Sequence, residues 1–310
     1  MWYWFHMTTQ AGLLGAVVLI SCSALGCTAN QASAGSHASR DPDGTAGAPA
    51  IDTGVAGSGS QNIDTTPGEM ADAGDGCGST LDVTYRDFSE AHPDFEMPFS
   101  GDVVRRGLIE VALGADSKPV FKESIGHPPL SGSPTAINTD WTPAQPVIGS
   151  AATFKQWYNT AAGVNQEFPK KLKLTETTAG SGVYGYDNSA FFPLAPTEGF
   201  GITPKGNDLG MNFLFTTEIH VFFTYTAAQK FTFRGDDDLW IFVNGKLALD
   251  LGSMHGPEEG TIDFDAQAAP LGISPGGTYA MDIFHAERHT RGSNFKVTTN
   301  IACFTPGFVK

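Results

Sequence analysis

One stretch, residues 231–255, constrains this chain more than any other: Phe-Thr-Phe-Arg-Gly-Asp-Asp-Asp-Leu-Trp-Ile-Phe-Val-Asn-Gly-Lys-Leu-Ala-Leu-Asp-Leu-Gly-Ser-Met-His. Asn244-Gly245 stands between two apolar runs, and these residue types suit the positive-φ positions of a type I′ hairpin turn. With that turn as centre, Phe242 is expected opposite Leu247, Trp240 opposite Leu249, and Asp238 opposite Leu251 where the hairpin opens. Directly opposed side chains share a face, so Phe242, Leu247, Trp240 and Leu249 should form an apolar patch. Three adjacent carboxylates, Asp236, Asp237 and Asp238, then stand at the mouth of a hydrophobic hairpin. The run reads either as a solvated acidic turn or as a site neutralised by a hard cation on oxygen ligands, with Ca²⁺ the first choice. Neighbouring residues on an extended chain point to opposite faces. Two consecutive carboxylates therefore reach one ion only where the backbone turns them together, as a cis peptide bond does.

The charge balance limits the partners. The chain has 310 residues, with 33 acidic and 18 basic side chains and a formal net charge of −15. Nucleic-acid binding needs a basic footprint, which this composition does not supply. Twenty-two phenylalanines provide for one substantial core.

The first 27 residues read as a signal peptide. Residues 11–26 form an apolar, small-residue run that is too short for a membrane span and suited to a signal-peptide core. Cys22 and Cys27 each follow small or apolar residues in the manner of a bacterial lipoprotein box, so either is a candidate for lipidation. The expected location is the cell envelope or outer surface, as a lipoprotein held to the membrane by its lipid, or secretion. Residues 28–76 are mostly Ala, Gly, Ser, Thr, Pro and Asp with almost no large apolar side chain. Such a segment cannot bury enough surface to offset its ordering entropy and is expected to be a disordered linker. Cys77 and Cys303 bracket the remaining body and, in an oxidising compartment, are expected to pair as a disulfide.

From 77 to 306 the period is two. Leu81-Val83-Tyr85, Ile219-Val221-Phe223-Tyr225, Tyr279-Met281-Ile283-His285 and Phe295-Val297-Thr299-Ile301 all alternate, with Gly/Pro turns between. This pattern predicts half-buried antiparallel strands and an all-β sandwich or barrel with long loops. One short helix is expected over 154–165, with Phe154, Trp157 and Tyr158 on one side.

The 231–255 motif resembles the signature of the fibro-slime domain family. Further segments agree: Tyr85-Arg86-Asp87-Phe88, His92-Pro93-Asp94-Phe95-Glu96, Phe154-x-x-Trp157-Tyr158 with Gly163-Val164-Asn165, and His285-Ala-Glu-Arg-His289 with Ser293-Asn294-Phe295. The hairpin is also similar to the protective-antigen-type β-sandwich domain of bacterial toxins, glycosidases and yeast flocculins. The resemblance implies a cis-linked aspartate pair that binds Ca²⁺, which in turn ligates sugar hydroxyls. That pair maps onto Asp236 and Asp237. Where many relatives have glycine next, this chain has Asp238, which adds charge and leaves open which two of the three ligate. The family implies a further side-chain ligand on a later loop, and Asn294 is the candidate by position; Asn244 serves the turn. His255, Arg288 and His289 are candidates for contact with the ligand. Trp141 and Trp157 are candidates for stacking on it.

Enzyme signals are weak. His285-x-Glu287-x-His289 lacks the spacing of the helical zinc motif, and no phosphate loop is present. The expected function is calcium-dependent binding of a carbohydrate or extracellular matrix polymer in adhesion, without catalysis. The alternatives are a structural or protein-interaction module with structural calcium and, behind it, a polysaccharide-acting enzyme.

Overall fold

The structure is a computed structural model and describes residues 77–96, 104–122 and 147–307. The signal and linker segments, Cys22, Cys27 and Trp141 lie outside the described residues. Among the described residues no helix is long and apolar enough to cross a membrane.

Alternating strands assemble into two antiparallel sheets packed face to face. The larger sheet contains β1 (Thr80–Phe88), β2 (Asn165–Lys173), β5 (Phe215–Thr224), β7 (Asp238–Val243), β8 (Lys246–Leu251) and β10 (Thr278–Glu287), ordered β2-β1-β5-β10-β7-β8. A short strand, β12 (Thr305–Pro306), pairs with β5. The second sheet contains β3 (Thr175–Glu176), β4 (Tyr184–Asn188), β6 (Lys230–Gly235), β9 (Glu258–Asp263) and β11 (Phe295–Thr299), ordered β3-β4-β11-β6-β9. The core lies between them. Leu81, Val83, Ile219, Val221, Met281 and Ile283 of the larger sheet meet Phe231, Phe233, Ile262, Phe295 and Val297 of the smaller one. These are the inward positions of the two-residue period. Cys77 and Cys303 are joined in a disulfide, with Cα atoms 5.1 Å apart.

The hairpin departs from its expected register. Asn244 and Gly245 adopt φ of 53° and 70°, and Phe242 pairs with Leu247. A bulge follows, so Ile241 pairs with Leu249, Trp240 with Asp250 and Leu239 with Leu251. The physical reason is that β7 is buried on both faces. Leu239, Ile241 and Val243 enter the core between the sheets, whereas Trp240 and Phe242 enter a second aromatic core on the far side. Leu247, Leu249 and Leu251 would all share one face of a regular strand. The bulge lets Leu247 pack with Phe242's layer while Leu249 and Leu251 join the main core. Opposite Trp240, Asp250 accepts the indole N–H at 2.9 Å.

The second core is roofed by the end of β1 and by segments outside the sheets. Phe88, Phe95, Phe154, Trp157 and Tyr158 cover the outer face of β7 and β10. The helix expected over 154–165 is instead α1 (Ala151–Lys155), started by a capping box between Ser150 and Thr153. Asn165 explains the early end: its amide Nδ2 donates to the carbonyls of Gln156 and Asn159, and its Oδ1 accepts from Ala161 N. These bonds hold 156–165 as turns. A second helix, α2 (Phe264–Leu271), was not expected from the sequence; Asp263 caps its start and Gly272, at φ 70°, ends it.

Candidate functional site

The topology brings three loops to one end of the sandwich. β6 and β7 lie in different sheets, as do β8 and β9, and β10 and β11. The chain therefore crosses between sheets three times, at Asp236–Asp237, at 252–257 and at 288–294. A pocket of about 360 Å³ opens among these crossings, lined by Asp236, Asp237, His255, Gly256, Pro257, His289, Thr290, Arg291, Gly292 and Asn294.

The first crossing is tight. A Cβ at Gly235 would lie 2.5 Å from the Asn294 carbonyl oxygen, so the Gly-Asp-Asp order is set by backbone approach. The Asp236–Asp237 peptide bond is cis, and both carboxylates line the pocket. His285 Nε2 lies 2.8 Å from the Asp236 carbonyl oxygen, and Thr217 Oγ1 lies 3.1 Å from its Nδ1. Both ring nitrogens are thus engaged, and burial pulls the His285 imidazole down to about 4. This is a supporting strut; the strand geometry of 278–287 gives no helical zinc motif.

The two carboxylates tie the crossings together. Asp236 accepts from the Asn294 backbone N–H and, at 3.0 Å, from Asn294 Nδ2. Asp237 accepts from His255 N and Arg288 N, each at 3.1 Å. Asp236 and Asp237 are both nearly buried, and Glu287 is more deeply buried with its Oε2 lacking any hydrogen-bond partner. Burial raises all three acids; repulsion from Asp238 and Asp236 adds to the rise at Asp237, and from Asp237 and Asp236 at Glu287. Ionised together, the three would carry more buried negative charge than the surrounding hydrogen bonds and the Arg288 guanidinium compensate.

Asp238 is not part of that surplus. It begins β7 facing the second core, where its Oδ2 receives Arg288 Nε and its Oδ1 receives Ser253 N, both at 2.6 Å. Both side chains of this ion pair are fully buried. The expectation that Asp238 is a candidate ion ligand is corrected: an internal guanidinium already neutralises it. Arg288 is likewise corrected as a ligand-contacting side chain. Its Nη1 donates to the carbonyls of Asp94 and Val147, and its guanidinium lies 4.6 Å from the Trp157 ring centroid. Burial opposes its charge, but Asp238, helped by Asp237 and Asp94, holds the guanidinium above its ordinary value. Trp157 is fully buried and donates to Asp94 Oδ2 at 2.9 Å, so it is core and not a stacking platform.

The remaining candidates lie at the pocket. His255 is buried, with its ring nitrogens 2.7 Å from the Gly256 carbonyl and 3.2 Å from that of Leu251. It shapes the wall through its loop. His289 is half-buried and also lines the pocket, 3.7 Å from Glu96 Oε2. Among the described residues no group of three or more His, Cys, Asp or Glu side chains is placed to hold a metal ion. What the pocket offers is two carboxylates and the Asn294 amide: an oxygen donor set with surplus negative charge. That chemistry fits a hard cation and not zinc.

Nothing in the residue types marks 290–292, Gly256 and Pro257 as wall segments, and sequence reasoning missed them. The only available signal was position, between strands destined for different sheets.

Three proteins of Dictyostelium discoideum are similar in sequence. Protein psiF is 33% identical over 227 residues, 67% of this chain and 30% of its own length. Protein psiQ is 33% identical over 73% of this chain and 21% of its own. Protein psiD is 33% identical over 71% of this chain and 41% of its own. The chain thus spans well under half the length of these relatives. No protein-family model matches the chain, so the fibro-slime resemblance rests on the motifs quoted above. Among solved structures, a PA14 sugar-binding domain from an RTX adhesin aligns with 28% of this chain and 46% of its own at 15% identity and a TM-score of 0.20. The Epa6 A domain of Candida glabrata, solved with Galβ1-3GlcNAc, aligns with 45% of this chain and 71% of its own at 15% identity and a TM-score of 0.23.

Proposed function

We propose that the 77–306 domain binds a glycan or matrix polymer through a Ca²⁺ ion held by Asp236 and Asp237, with Asn294 as the further oxygen donor, and that it serves adhesion outside the cell without catalysis. The observation that carries this reading is the pairing of two nearly buried carboxylates at one pocket, beside a third buried acid with an orphaned oxygen. A buried surplus of negative charge is costly unless it is paired or coordinates a metal. A bound Ca²⁺ supplies that compensation and keeps coordination positions open for ligand hydroxyls. The role of this chain's own residues is positional. His285 holds the Asp236 carbonyl, Gly235 permits the close crossing, and the Asp238–Arg288 pair braces the floor. The lipoprotein or secreted location at the cell envelope or outer surface completes the proposal, with residues 28–76 as the tether.

A second reading has its own support. Each of the two carboxylates already bonds to a backbone N–H of another crossing. An ion there would also rivet the loops, in which case the domain is a structural or protein-interaction module. A glycan array probed with the full chain, with Ca²⁺ and with chelator, separates the two. Calcium-dependent signal is the expected result. A thermal shift with Ca²⁺ but no glycan signal supports the rivet. Release of reducing sugar, abolished by a single carboxylate substitution, would show an enzyme instead.

A further inference from the structure

Four large apolar side chains stand out to solvent within one short segment between β4 and β5: Phe200 at 43%, Ile202 at 38%, Leu209 at 43% and Met211 at 37% exposure. The segment is built to hold them there. Asp87, fully buried in β1, grips both of its ends: one oxygen receives the Phe200 backbone N–H and the other receives Asn212 Nδ2 at 2.8 Å. Gly199 makes the grip possible, since it sits at φ 58° and a Cβ there would lie 1.8 Å from the Asp87 carboxylate. Higher up, Thr203 N donates to the Met211 carbonyl at 3.0 Å, bringing the Ile202 and Met211 arms together. A compact loop of this length with closed ends is a common carrier of function.

The loop is also fastened to the pocket. Asp208 takes both Nη atoms of Arg291, at 2.5 and 2.7 Å, and Arg291 lines the pocket wall. Lys205 Nζ reaches Glu96 Oε2 at 2.6 Å, and the other Glu96 oxygen accepts from Thr290 N, also on that wall. The loop that carries the apolar side chains is therefore tied to the wall of the acidic pocket through 290–291.

We propose that the 199–212 loop is a second wall of the binding site, an apolar shelf that receives the C–H faces of saccharide rings whose hydroxyls enter the acidic pocket. This rests on the calcium-dependent glycan reading above. A pyranose has both a hydroxylated edge and an apolar face, and a loop carrying exposed apolar side chains is here tied to the wall of the acidic pocket. Phe200 supplies the aromatic contact that neither Trp157 nor any other buried ring can provide. The shelf sets which saccharide binds; the pocket sets that binding needs the ion.

The test uses the full chain on a glycan array in Ca²⁺, comparing wild type with Phe200→Ala, Leu209→Ser and Asp208→Ala. Calcium titration without glycan and thermal unfolding serve as controls. The shelf predicts signals at least about tenfold weaker, or redistributed among glycans, for Phe200→Ala and Leu209→Ser, with calcium affinity and unfolding unchanged. Asp236→Asn, in contrast, loses both calcium and glycan. Unchanged glycan signals in the loop variants would overturn the shelf and leave the calcium site standing. Loss of self-association in place of glycan binding would also overturn it, by assigning the patch to a second copy of the chain. No calcium-dependent signal for wild type would sink the functional reading, and the shelf with it.

Discussion

Arg288→Met tests whether this arginine is a brace or a ligand contact. The side chain is fully buried and so is its partner Asp238, at 2.6 Å. Methionine keeps much of the aliphatic volume but removes the charge, both carbonyl contacts from Nη1 and the contact with Trp157. It leaves Asp238 in the protein interior with Ser253 N as its remaining partner. Breaking a buried ion pair from one side costs about 3–5 kcal/mol. For a folded body of this size that corresponds to a fall in Tm of roughly 6–20 °C. Urea unfolding followed by tryptophan fluorescence reads it well, since Trp157 and Trp240 lie in the same core. Asp238→Asn alone should be destabilising in the same range, and the double variant should cost less than the sum by about 1–3 kcal/mol. An Arg288→Met protein with wild-type stability and selectively lost ligand binding would refute the reasoning, placing the guanidinium on the ligand.

Further predictions concern other parts of the fold. Burial raises the Asp87 carboxyl to about 6 against an ordinary value of 3.8, despite the bonds from Phe200 and Asn212. The folded state then holds this proton more tightly than the unfolded chain, so the Asp87 contribution falls as pH rises from about 4 through about 6. The loss is at most about 3 kcal/mol, and the stability difference between wild type and Asp87→Asn, measured by urea unfolding across that window, should follow it. Cys77→Ser with Cys303→Ser opens a link spanning 226 residues and should cost about 2–5 kcal/mol in the same assay. Glu218, buried and bonded to Arg86, Lys118 and His220, is held down to about 2: burial pushes it up, but the His220 bond and the two cations outweigh that. Glu218→Gln should cost about 3–5 kcal/mol, and a loss under about 1 kcal/mol would show the cluster to be solvated.

Some of this was legible in the residues. Asn244-Gly245 marks its turn because the backbone there needs positive φ, which is a local requirement. The alternation through Ile219 and Ile283 marks the inward faces for the same reason. The bulge between Phe242 and Leu249 was hidden, because Leu247, Leu249 and Leu251 look like one face until the second aromatic core is known to exist. Asp238 resembled its two neighbours in sequence, and only Arg288, fifty residues away, separates it from them. The helix expected over 154–165 failed because the Asn165 side chain competes for backbone groups, a contact no periodicity shows. The 199–212 loop went unread, since its apolar residues have no period and its anchor, Asp87, lies in another strand.

Asp236 and Asp237 are proposed to hold a calcium ion at the crossing of the sheets. Calorimetric titration of Ca²⁺ into the full chain tests it most directly, with Asp236→Asn and Asp237→Asn alongside. The expected result is a single site in wild type, an affinity at least about a hundredfold weaker in either variant, and a stability gain of about 2.7 kcal/mol at a hundred times Kd. Absence of binding in wild type, or binding that both variants retain, would contradict it.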